Sequence, residues 1–469
     1  MPAITRPVTR EIIDDFAKEI KKRRIQTAKP SKAVINFRTD MKDGKERDIW
    51  RVPIGILLYR KDNGRIASDV ADHECNVGPI DEKDDDGQGL VARFLEEKDR
   101  EKTEVLRNSI MHAGQSEPAI ITCDGFLING NRRKMVMDRL HKEFPEDGNF
   151  AYMKAVILPG KDDEGEGGPP TLLEIEKIEN RYQLQSDGKS EYYGFDRALS
   201  IKRKIEIGLS LEEQLRDDPQ FAAASPAELD KAVKDYEKQY LAPLACVDRY
   251  LKQFKREGLY RTISAGMSDP EGRWQAFIDY SNTYSRILLN PKRRIDLGIE
   301  EDEIGSIEEA AFDIIRLRTV PDMPKVHTIM RELPKYCGTK EGKHEIMKIA
   351  EDVEPVLPRE KYLDGHGKQL PLDGVDAVWA AAHKQSIIYR LKRARISHDS
   401  RKEKDTPLDL LDAAYQKLSP ETMDLKAVAI ADLPRARKRA AEIGARAAEI
   451  ESDVYHLEKE YKKLHQKKS

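Results

Sequence analysis

The stretch "LINGNRRKMVMDRL", residues 127–140, places a glycine and two adjacent arginines where a short apolar run gives way to helical spacing. The first amides of a helix carry partial positive charge and favour anions. Gly130 would let the backbone approach a ligand closely, and arginine offers forked donors to phosphate oxygens. We therefore predict a helix over 131–143 that begins at a phosphate site. The alternative is that Arg132 and Arg133 are solvated residues of a first helical turn.

The segments on either side alternate between strand-like and helix-like patterns. Apolar residues at helical spacing predict helices over 9–28 and 90–113. Acidic and glycine-bearing segments predict surface loops at 81–89 and 159–170. Short runs rich in β-branched and aromatic residues predict strands, at 33–37, 49–59, 118–122, 126–128 and 151–158.

Almost all of the chain after residue 170 has helical spacing. The fold class predicted is α+β: a small mixed α/β domain, then a largely all-α region and a coiled-coil-like C-terminal helix. Five divisions are predicted: a basic N-terminal helix (1–32), the mixed domain (33–170), a helical linker with a candidate helix-turn-helix (171–260), a helical domain (261–430) and an amphipathic C-terminal helix (431–469).

Composition limits the classes of function. Charged residues make up 36% of the 469 residues, yet the formal net charge is only −3, so any contact with nucleic acid must come from local basic surfaces. The four cysteines form no CxxC pair, which favours a reducing compartment. The charged N-terminal residues do not predict a signal peptide, and no apolar run is long enough to span a membrane. The sequence predicts a cytoplasmic protein.

The order of motifs from 109 to 136 resembles the ParB/sulfiredoxin superfamily, whose ParB-like N-terminal domain occurs in chromosome and plasmid partition proteins. The family has a helix ending "SI…G", a loop with proline, a strand, a turn and a helix opening "GERRxxA". Asn131 replaces the family's glutamate here, and Val136 replaces its alanine. The corresponding residues are Ser109-Ile110, Gly114, Pro118, Asp124-Gly125 and 130–133.

Two further segments extend the resemblance to roughly residues 33–200. "VPIGILLYRKDNGRI" (52–66) resembles the family's first strand and the loop that ends in arginine, here Arg65. "IEKIENRYQLQ" resembles the helix with "ENxQR" and supplies Glu179 and Asn180. Oxygen ligands of this type suit Mg²⁺ held between a protein and a triphosphate. Considered alone, Glu179 could equally be a carboxylate on a helix surface.

In the family this arrangement binds a nucleoside triphosphate, and in partition proteins the nucleotide is cytidine triphosphate. The resemblance implies nucleotide phosphates bound by the segment Gly130–Arg133, which includes Asn131, with Arg65 facing the ligand. It implies Mg²⁺ bound by Glu179 and Asn180. Either CTP or ATP remains open as the nucleotide.

One branch of the superfamily is excluded by the sequence. Sulfiredoxin requires a reactive cysteine within its phosphate motif, and position 131 is asparagine. Cys123 lies before the turn on a predicted strand, where we expect a small buried hydrophobic residue and no nucleophile. His73 and Cys75 are close in sequence, but two potential ligands do not make a metal site.

DNA is the predicted macromolecular partner. Residues 191–215 resemble the linking helix and the start of the family's helix-turn-helix, and 225–259 could supply its two helices. The second of these, over 242–257, carries basic side chains suited to phosphates or base edges. A plain helical bundle is the alternative, since basic helix faces are commonly solvated. The candidate DNA-binding residues are Arg249, Lys252, Lys255 and Arg256.

The C-terminal segment has an a/d seam over three heptads. It predicts a coiled coil and hence a homodimer, and the alternative is a single helix packed on its own domain. The seam residues are Ile443, Ala447, Ile450, Val454, Leu457, Tyr461 and Leu464.

These features lead to three hypotheses about function. The first is a ParB-like, nucleoside-triphosphate-binding, DNA-associated switch or clamp, for which the sequence names no efficient base. The second is an enzyme with the same fold, a nuclease or a kinase or NTPase, in which Asp124 or Glu179 would activate a hydroxyl or water. The third is a non-catalytic regulator in a DNA-modification, plasmid or phage-related system.

Overall fold

The computed structural model divides the chain into two compact units, residues 1–398 and 399–469. The finer divisions at residues 32, 170, 260 and 430 stay predictions. The structure describes residues 10–26, 31–35, 37–38, 46–98, 100–163, 167–184, 194–218, 220–221, 223–264, 273–354, 361–364, 366–370, 372–419 and 423–466.

Within the described part of the first unit, five strands form one mixed sheet with the order β1-β2-β5-β3-β4. Neighbouring strands are antiparallel except β3 and β5, which are parallel. The strands are β1 (Lys32–Val34), β2 (Glu46–Pro53), β3 (Ala119–Ile121), β4 (Leu127–Asn129) and β5 (Tyr152–Ile157).

Helices cover both faces of this sheet. Alternation along β3 sends Ala119 and Ile121 into one apolar core, and Ile120 into a second core on the opposite face. The first core also takes side chains from helices α1 to α5, whereas the second takes Ile175 and Ile178 from α6. The helices are α1 (Asp14–Arg23), α2 (Ala67–Asn76), α3 (Asp85–Lys98), α4 (Arg100–Ala113), α5 (Asn131–Glu143) and α6 (Leu172–Leu184).

The helix predicted over 90–113 agrees with the described residues, since 90–98 belong to α3 and 100–113 to α4, and residue 99 lies outside the described part. The helical region begins earlier than predicted, because the start of α3 lies inside the predicted loop 81–89. Asp84 explains this start, since its Oδ1 accepts a hydrogen bond of 2.6 Å from the Gly87 amide. A carboxylate that binds a first-turn amide is a helix-start signal, and it outweighs the glycines that favoured a loop.

The predicted strand over 49–59 is too long. β2 ends at Pro53, which has no amide hydrogen to continue the ladder, and Ile54–Ile56 forms a 3-10 turn. The helix predicted over 9–28 is shorter in the structure, at Asp14–Arg23, because Arg24 is extended and Ile25 pairs with Arg51 of β2. Residues 27–30 lie outside the described part.

The rest of the first unit is helical, up to residue 398 within α17, and has a core of its own. Its buried side chains come from helices throughout the segment 195–394, among them Tyr250, Phe277 and Phe312. The helices are α7 (Gly194–Glu206), α8 (Leu211–Arg216), α9 (Pro226–Tyr236), α10 (Ala242–Gln253), α11 (Arg261–Ser264), α12 (Arg273–Thr283), α13 (Pro291–Asp296), α14 (Glu303–Arg316), α15 (Val326–Cys337), α16 (Lys340–Asp352) and α17 (Leu372–Leu418). The α+β class is therefore confirmed.

The segment 225–259 differs from a pair of separate helices. A π-helical segment, Glu237–Leu241, joins α9 directly to α10, so no turn divides them. The predicted second helix ends at Gln253, short of residue 257, and Lys255 has a positive φ of 54°.

The second unit contains the last part of α17 and a long helix, α18 (Leu433–Gln466). The helix predicted at the C-terminus is confirmed, while its self-association stays a prediction. Among the described residues, no helix combines the length and the apolar character that a membrane crossing requires.

Candidate functional site

The start of α5 opens into a cavity of about 650 Å³. Its wall combines the α5 start with residues that precede α2, with α3 and α4, and with α6. The lining residues are Asn63, Arg65, Leu95, Lys98, Lys102, Val105, Leu106, Ser109, Ser116, Glu117, Ile128, Asn129, Gly130, Asn131, Arg132, Arg133, Glu179 and Tyr182. Six residues predicted from sequence to form the site therefore share one cavity wall: Arg65, Gly130, Asn131, Arg132, Arg133 and Glu179.

Gly130 caps α5 with a left-handed backbone, φ 102° and ψ 9°. No side chain caps this helix, so its first turn presents backbone toward the cavity. A Cβ on residue 130 would lie 3.0 Å from the Ala119 Cβ and 3.0 Å from the Met153 Cε. Glycine is thus required by the backbone angle and by packing against the sheet, reasons separate from the predicted approach of a ligand.

Two asparagines on the cavity wall carry buried polar atoms without hydrogen-bond partners. Asn131 is 8% exposed, and its Oδ1 accepts no hydrogen bond. Nδ2 of Asn129, at the end of β4, donates none. Leaving such groups unpaired costs about 1–3 kcal/mol each. A ligand that presents both an acceptor and a donor at this point would pair both atoms.

Arg133 is anchored at the edge of the cavity. Its guanidinium donates to the Glu117 carbonyl oxygen and, at 3.2 Å, to Oδ1 of Asn129. Burial lowers the pKa of Arg133, an effect that the nearby Glu117 carboxylate opposes. Because the side chain is held by neutral oxygen acceptors, its charge remains available to an anion.

Two lysines that the sequence analysis did not select also line the cavity, Lys98 from α3 and Lys102 from α4. Lys98 Nζ lies 3.0 Å from an oxygen of Asp69 and 2.8 Å from one of Asp196. Burial lowers the pKa of Lys98, but the charges of Asp196 and Asp69 outweigh it and raise the pKa above the usual value. The i, i+4 spacing of the two lysines is visible in the sequence, and it indicates that both side chains lie on the same face of a helix.

Cations outnumber carboxylates among the residues that line the cavity, which favours an anionic ligand, although the charge of Lys98 is already compensated by Asp69 and Asp196. The cations are Arg65, Lys98, Lys102, Arg132 and Arg133, and the carboxylates are Glu117 and Glu179. The wall also has an apolar part, Leu95, Val105, Leu106, Ile128 and Tyr182. A ligand with both phosphate groups and a flat apolar group fits this combination.

Glu179 and Asn180, the predicted metal ligands, have different environments. Glu179 lines the cavity, and its Oε1 accepts from the Gly64 amide at 3.3 Å. Asn180 lies outside the cavity wall and is fully bonded to protein, since Nδ2 donates to the Gln214 carbonyl at 3.0 Å and Oδ1 accepts from Lys204 at 3.0 Å. The structure thus separates the two residues that the sequence paired.

Behind Glu179 lies a buried ionic network. Arg60 donates to Glu176 at 2.8 Å and lies 3.5 Å from Glu179. Burial, the larger effect, and the negative charge of Glu179 raise the pKa of Glu176, although the positive charge of Arg60 opposes them. Burial also lowers the pKa of Lys204, which Glu179 and Glu176 oppose. Glu179 therefore connects the cavity wall to the packing of α6 on α7.

Asp124, the other candidate base, does not line the cavity. Its carboxylate is fully buried and accepts two hydrogen bonds from Arg10 Nη1, at 2.9 and 2.7 Å. It also accepts from the Ile13 amide at 3.1 Å and from the Thr122 hydroxyl at 2.6 Å. The residue anchors the chain that leads into α1, which explains an aspartate at this turn without catalysis.

We predict that Asp124→Asn weakens the docking of α1 by about 1.5–3 kcal/mol, because an amide cannot accept both bonds from Arg10. The measurement is hydrogen exchange of the α1 amides. Asp15→Asn serves as the control, since Asp15 lies on the same helix with its side chain 90% exposed. Equal protection of α1 in both variants would contradict the anchoring role.

The candidate DNA-binding residues divide into two pairs. Arg249 donates to Glu308 at 2.9 and 2.8 Å, and Arg256 is 4% exposed and bonded to Asp376. Both arginines therefore join helices of the core. Lys252 and Lys255 are exposed.

Cys123, the cysteine nearest the predicted phosphate motif, is a poor nucleophile in this fold. Burial, followed by the charge of Asp124, raises the pKa of Cys123 to about 12, which agrees with the expectation of an unreactive side chain. Among the described residues, no group of three His, Cys, Asp or Glu side chains lies close enough to hold a metal ion.

Comparison of the chain with protein-family models, with curated proteins and with solved structures found no significant match.

Proposed function

We propose that the chain binds a nucleoside triphosphate in the cavity at the start of α5, as a ParB-like, DNA-associated switch or clamp. One observation carries the proposal: six residues chosen from three separate sequence segments line the same cavity. The uncapped first turn of α5 and the excess of cations over carboxylates supply the chemistry that phosphates require.

The composition of the cavity wall suggests how the ligand is bound. Phosphates would lie against Gly130, Arg132 and Arg133, and the base against apolar side chains such as Leu95 and Leu106. The unpaired Oδ1 of Asn131 can accept from a hydroxyl or amino group of the ligand, or bind a cation.

Mg²⁺ fits the site in part. Mg²⁺ commonly takes one or two protein oxygens and completes its shell with phosphates and water. Glu179 and Asn131 can supply such oxygens at the cavity, whereas Asn180 is committed to Gln214 and Lys204. The metal would neutralise phosphate charge and hold the triphosphate against the wall.

The proposal is tested by titrating the full chain with each fluorescently labelled triphosphate, with and without Mg²⁺ and duplex DNA. Arg132→Ala is expected to weaken triphosphate binding about tenfold, since it removes charge-assisted bonds to phosphate. Lys142→Ala is the matched control, because it removes one positive charge from the exposed far end of the same helix. The control should bind as the wild type does.

Two outcomes would reject the proposal. In the first, none of the four ribonucleoside triphosphates binds at millimolar concentration. In the second, a triphosphate binds with equal affinity to the wild type and to the Arg132→Ala variant. The thermal unfolding of each variant is measured in parallel, so that a loss of binding is not confused with a loss of folding.

Two observations support the proposed ParB-like fold and DNA association. The strand, turn, strand and helix from Ala119 to Glu143, followed by α6, keep the family's order of elements. Lys252 and Lys255 remain exposed basic candidates for phosphate contacts. A DNA duplex that changes the affinity of the protein for the nucleotide would support a switch. If the duplex does not alter nucleotide binding and the nucleotide does not alter duplex binding, the clamp is excluded.

An enzyme that uses the same cavity is the second candidate, because the Glu179 carboxylate lines the wall. Phosphate release or DNA cleavage that Glu179→Gln abolishes, with triphosphate binding retained, would favour it. Triphosphate binding without turnover in the presence of Mg²⁺ and DNA favours the switch. If DNA also leaves the triphosphate affinity unchanged, the non-catalytic regulator is favoured.

A further inference from the structure

α18 carries an apolar stripe at the heptad positions of its sequence, and several of the described side chains on it are exposed. The heptad pattern that runs through Ile443 extends back to Leu433, where the helix begins. Several of its large side chains are half-exposed: Leu433 by 49%, Ile443 by 40%, Val454 by 52% and Leu457 by 53%. The a positions are 433, 440, 447, 454 and 461, and the d positions are 436, 443, 450, 457 and 464. A regular stripe of this length is the surface that a partner helix covers.

We propose that α18 pairs with α18 of a second copy in the antiparallel orientation, with Ala447 of one copy facing Ile450 of the other. In this register every a position faces a d position of the second copy. The two 34-residue helices then overlap along their full length, from the layer of 433 and 464 at one end to its equivalent at the other.

The sizes of the facing residues favour this register. Small a/d residues are concentrated in the first half of α18 and large ones in the second half. Antiparallel pairing sets Ala440 against Leu457 and Ala447 against Ile450, so that a small residue meets a large one in both of these layers. It also packs Ile443 on Val454, which fills the seam evenly.

A parallel pair would distribute the same residues poorly. Ala436, Ala440 and Ala447 would each face their own equivalent and leave voids beside the larger layers. Underfilled layers lose both apolar burial and dispersion contacts, so the parallel arrangement is the less stable.

Charges beside the seam give the same orientation independently. Flanking g positions of antiparallel helices face g, and e positions face e. In the proposed register every such pair with two charges is opposite in sign, and each pair occurs twice. The pairs are Arg439 with Glu460, Arg446 with Asp453 and Arg437 with Glu458.

The parallel arrangement is electrostatically mixed. It pairs Arg446 with Glu451 favourably but sets Asp453 against Glu458, two like charges. Within one helix Arg446 lies 2.7 Å from Glu449, with both side chains more than 60% exposed, and such a pair competes weakly with a partner across the seam.

Asp453→Arg distinguishes the two orientations in the full chain. In the antiparallel dimer the new guanidinium at position 453 would repel Arg446 of the second copy, and the dissociation constant should rise about tenfold. In a parallel dimer the same substitution would meet Glu458 and tighten association. The exchange Arg446→Asp with Asp453→Arg should restore the wild-type constant, which also excludes a folding defect. Sedimentation equilibrium measures each constant against the 53.6 kDa mass of the chain.

Cysteine cross-linking tests the register directly, in a Cys75→Ser background that removes an exposed native thiol. Ala440→Cys alone and Leu457→Cys alone should not cross-link with a short thiol reagent, since equal positions lie about 25 Å apart along antiparallel helices. A mixture of the two variants should cross-link between copies.

Three results would overturn the proposal. The first is a protein that stays monomeric at concentrations up to about 100 µM, since any pairing would then be very weak. The second is an Asp453→Arg variant that associates more tightly than the wild type. The third is efficient cross-linking of Ala440→Cys to itself. A monomer would indicate that α18 is covered by another segment of its own chain or by a different protein. The proposal is independent of the nucleotide site, because the cavity contains no residue of α18.

Discussion

Replacing Asp376 by alanine is expected to lower the free energy of unfolding of the first unit by about 3–5 kcal/mol. The Asp376 carboxylate lies among three buried arginines. Arg256 donates to it at 2.8 and 3.2 Å, Arg316 donates at 3.0 Å, and Arg273 lies 4.0 Å away. Removal of this carboxylate takes away the anion to which Arg256 and Arg316 are hydrogen-bonded, which is the costly way to break a buried ionic cluster.

The arginines cannot escape to solvent when the carboxylate is removed. The Arg316 guanidinium lies 4.5 Å from the ring centre of Phe254 and 4.3 Å from that of Trp379. These contacts hold the charge inside the core of the helical region. The burial of Arg316 lowers its pKa, although Asp376 opposes the effect.

The same cluster gives the stability a dependence on pH. Burial alone would raise the pKa of Asp376, but the hydrogen bond from Arg256 and the charges of Arg256, Arg316 and Arg273 outweigh it and lower the pKa. The folded pKa is therefore below the unfolded value of about 3.9. The contribution is complete above the unfolded pKa and is lost as the pH falls through the folded pKa. The Asp376→Asn variant should lack this component of the acid dependence.

Urea unfolding of the full chain, followed by far-ultraviolet circular dichroism, measures the change. Asp235→Ala is the control, since Asp235 is exposed on α9 and should alter the stability by less than about 0.5 kcal/mol. A similar small change for Asp376→Ala would mean that solvent reaches the arginines, and would contradict the buried cluster.

The sequence was sufficient for the elements whose signals are local. The α5 helix has the predicted bounds, 131–143, because a strand, a glycine and a helical apolar pattern follow each other directly. Alternation in β3 and β5 likewise reflects a sheet buried on both faces. The start of α3 was missed because Asp84 acts through its contact with Gly87, which spacing alone does not reveal.

The pairing of charged residues was the part that the sequence could not supply. Arg256 belongs to a basic run and was expected at a surface, yet its partner Asp376 is 120 residues away in the chain. Asn180 follows Glu179 directly, but consecutive helix residues point in directions about 100° apart, so only one of them lines the cavity. Periodicity predicts which face of a helix is apolar, whereas the partner of a buried charge depends on tertiary packing.

Gly130→Ala is expected to destabilise the sheet-containing region by about 2–4 kcal/mol, the sum of left-handed strain and overpacking. The new methyl group would press on Met153, whose flexible end can move, and on the Cβ of Ala119, which β3 holds in place. Gly89→Ala is the matched control. Gly89 lies exposed in α3 with open space around it, so alanine there should raise the stability by up to about 1 kcal/mol.

Chemical unfolding and triphosphate titration of the same two variants separate the roles of Gly130. The left-handed cap fixes where the first turn of α5 faces, so a strained cap should lower the affinity of the folded protein as well as its stability. Lower stability with unchanged affinity would mean that the first turn is not the phosphate site, although the glycine would still be needed for packing. Unchanged stability would contradict the close contact with Ala119, and with it the account of why α5 begins at Asn131.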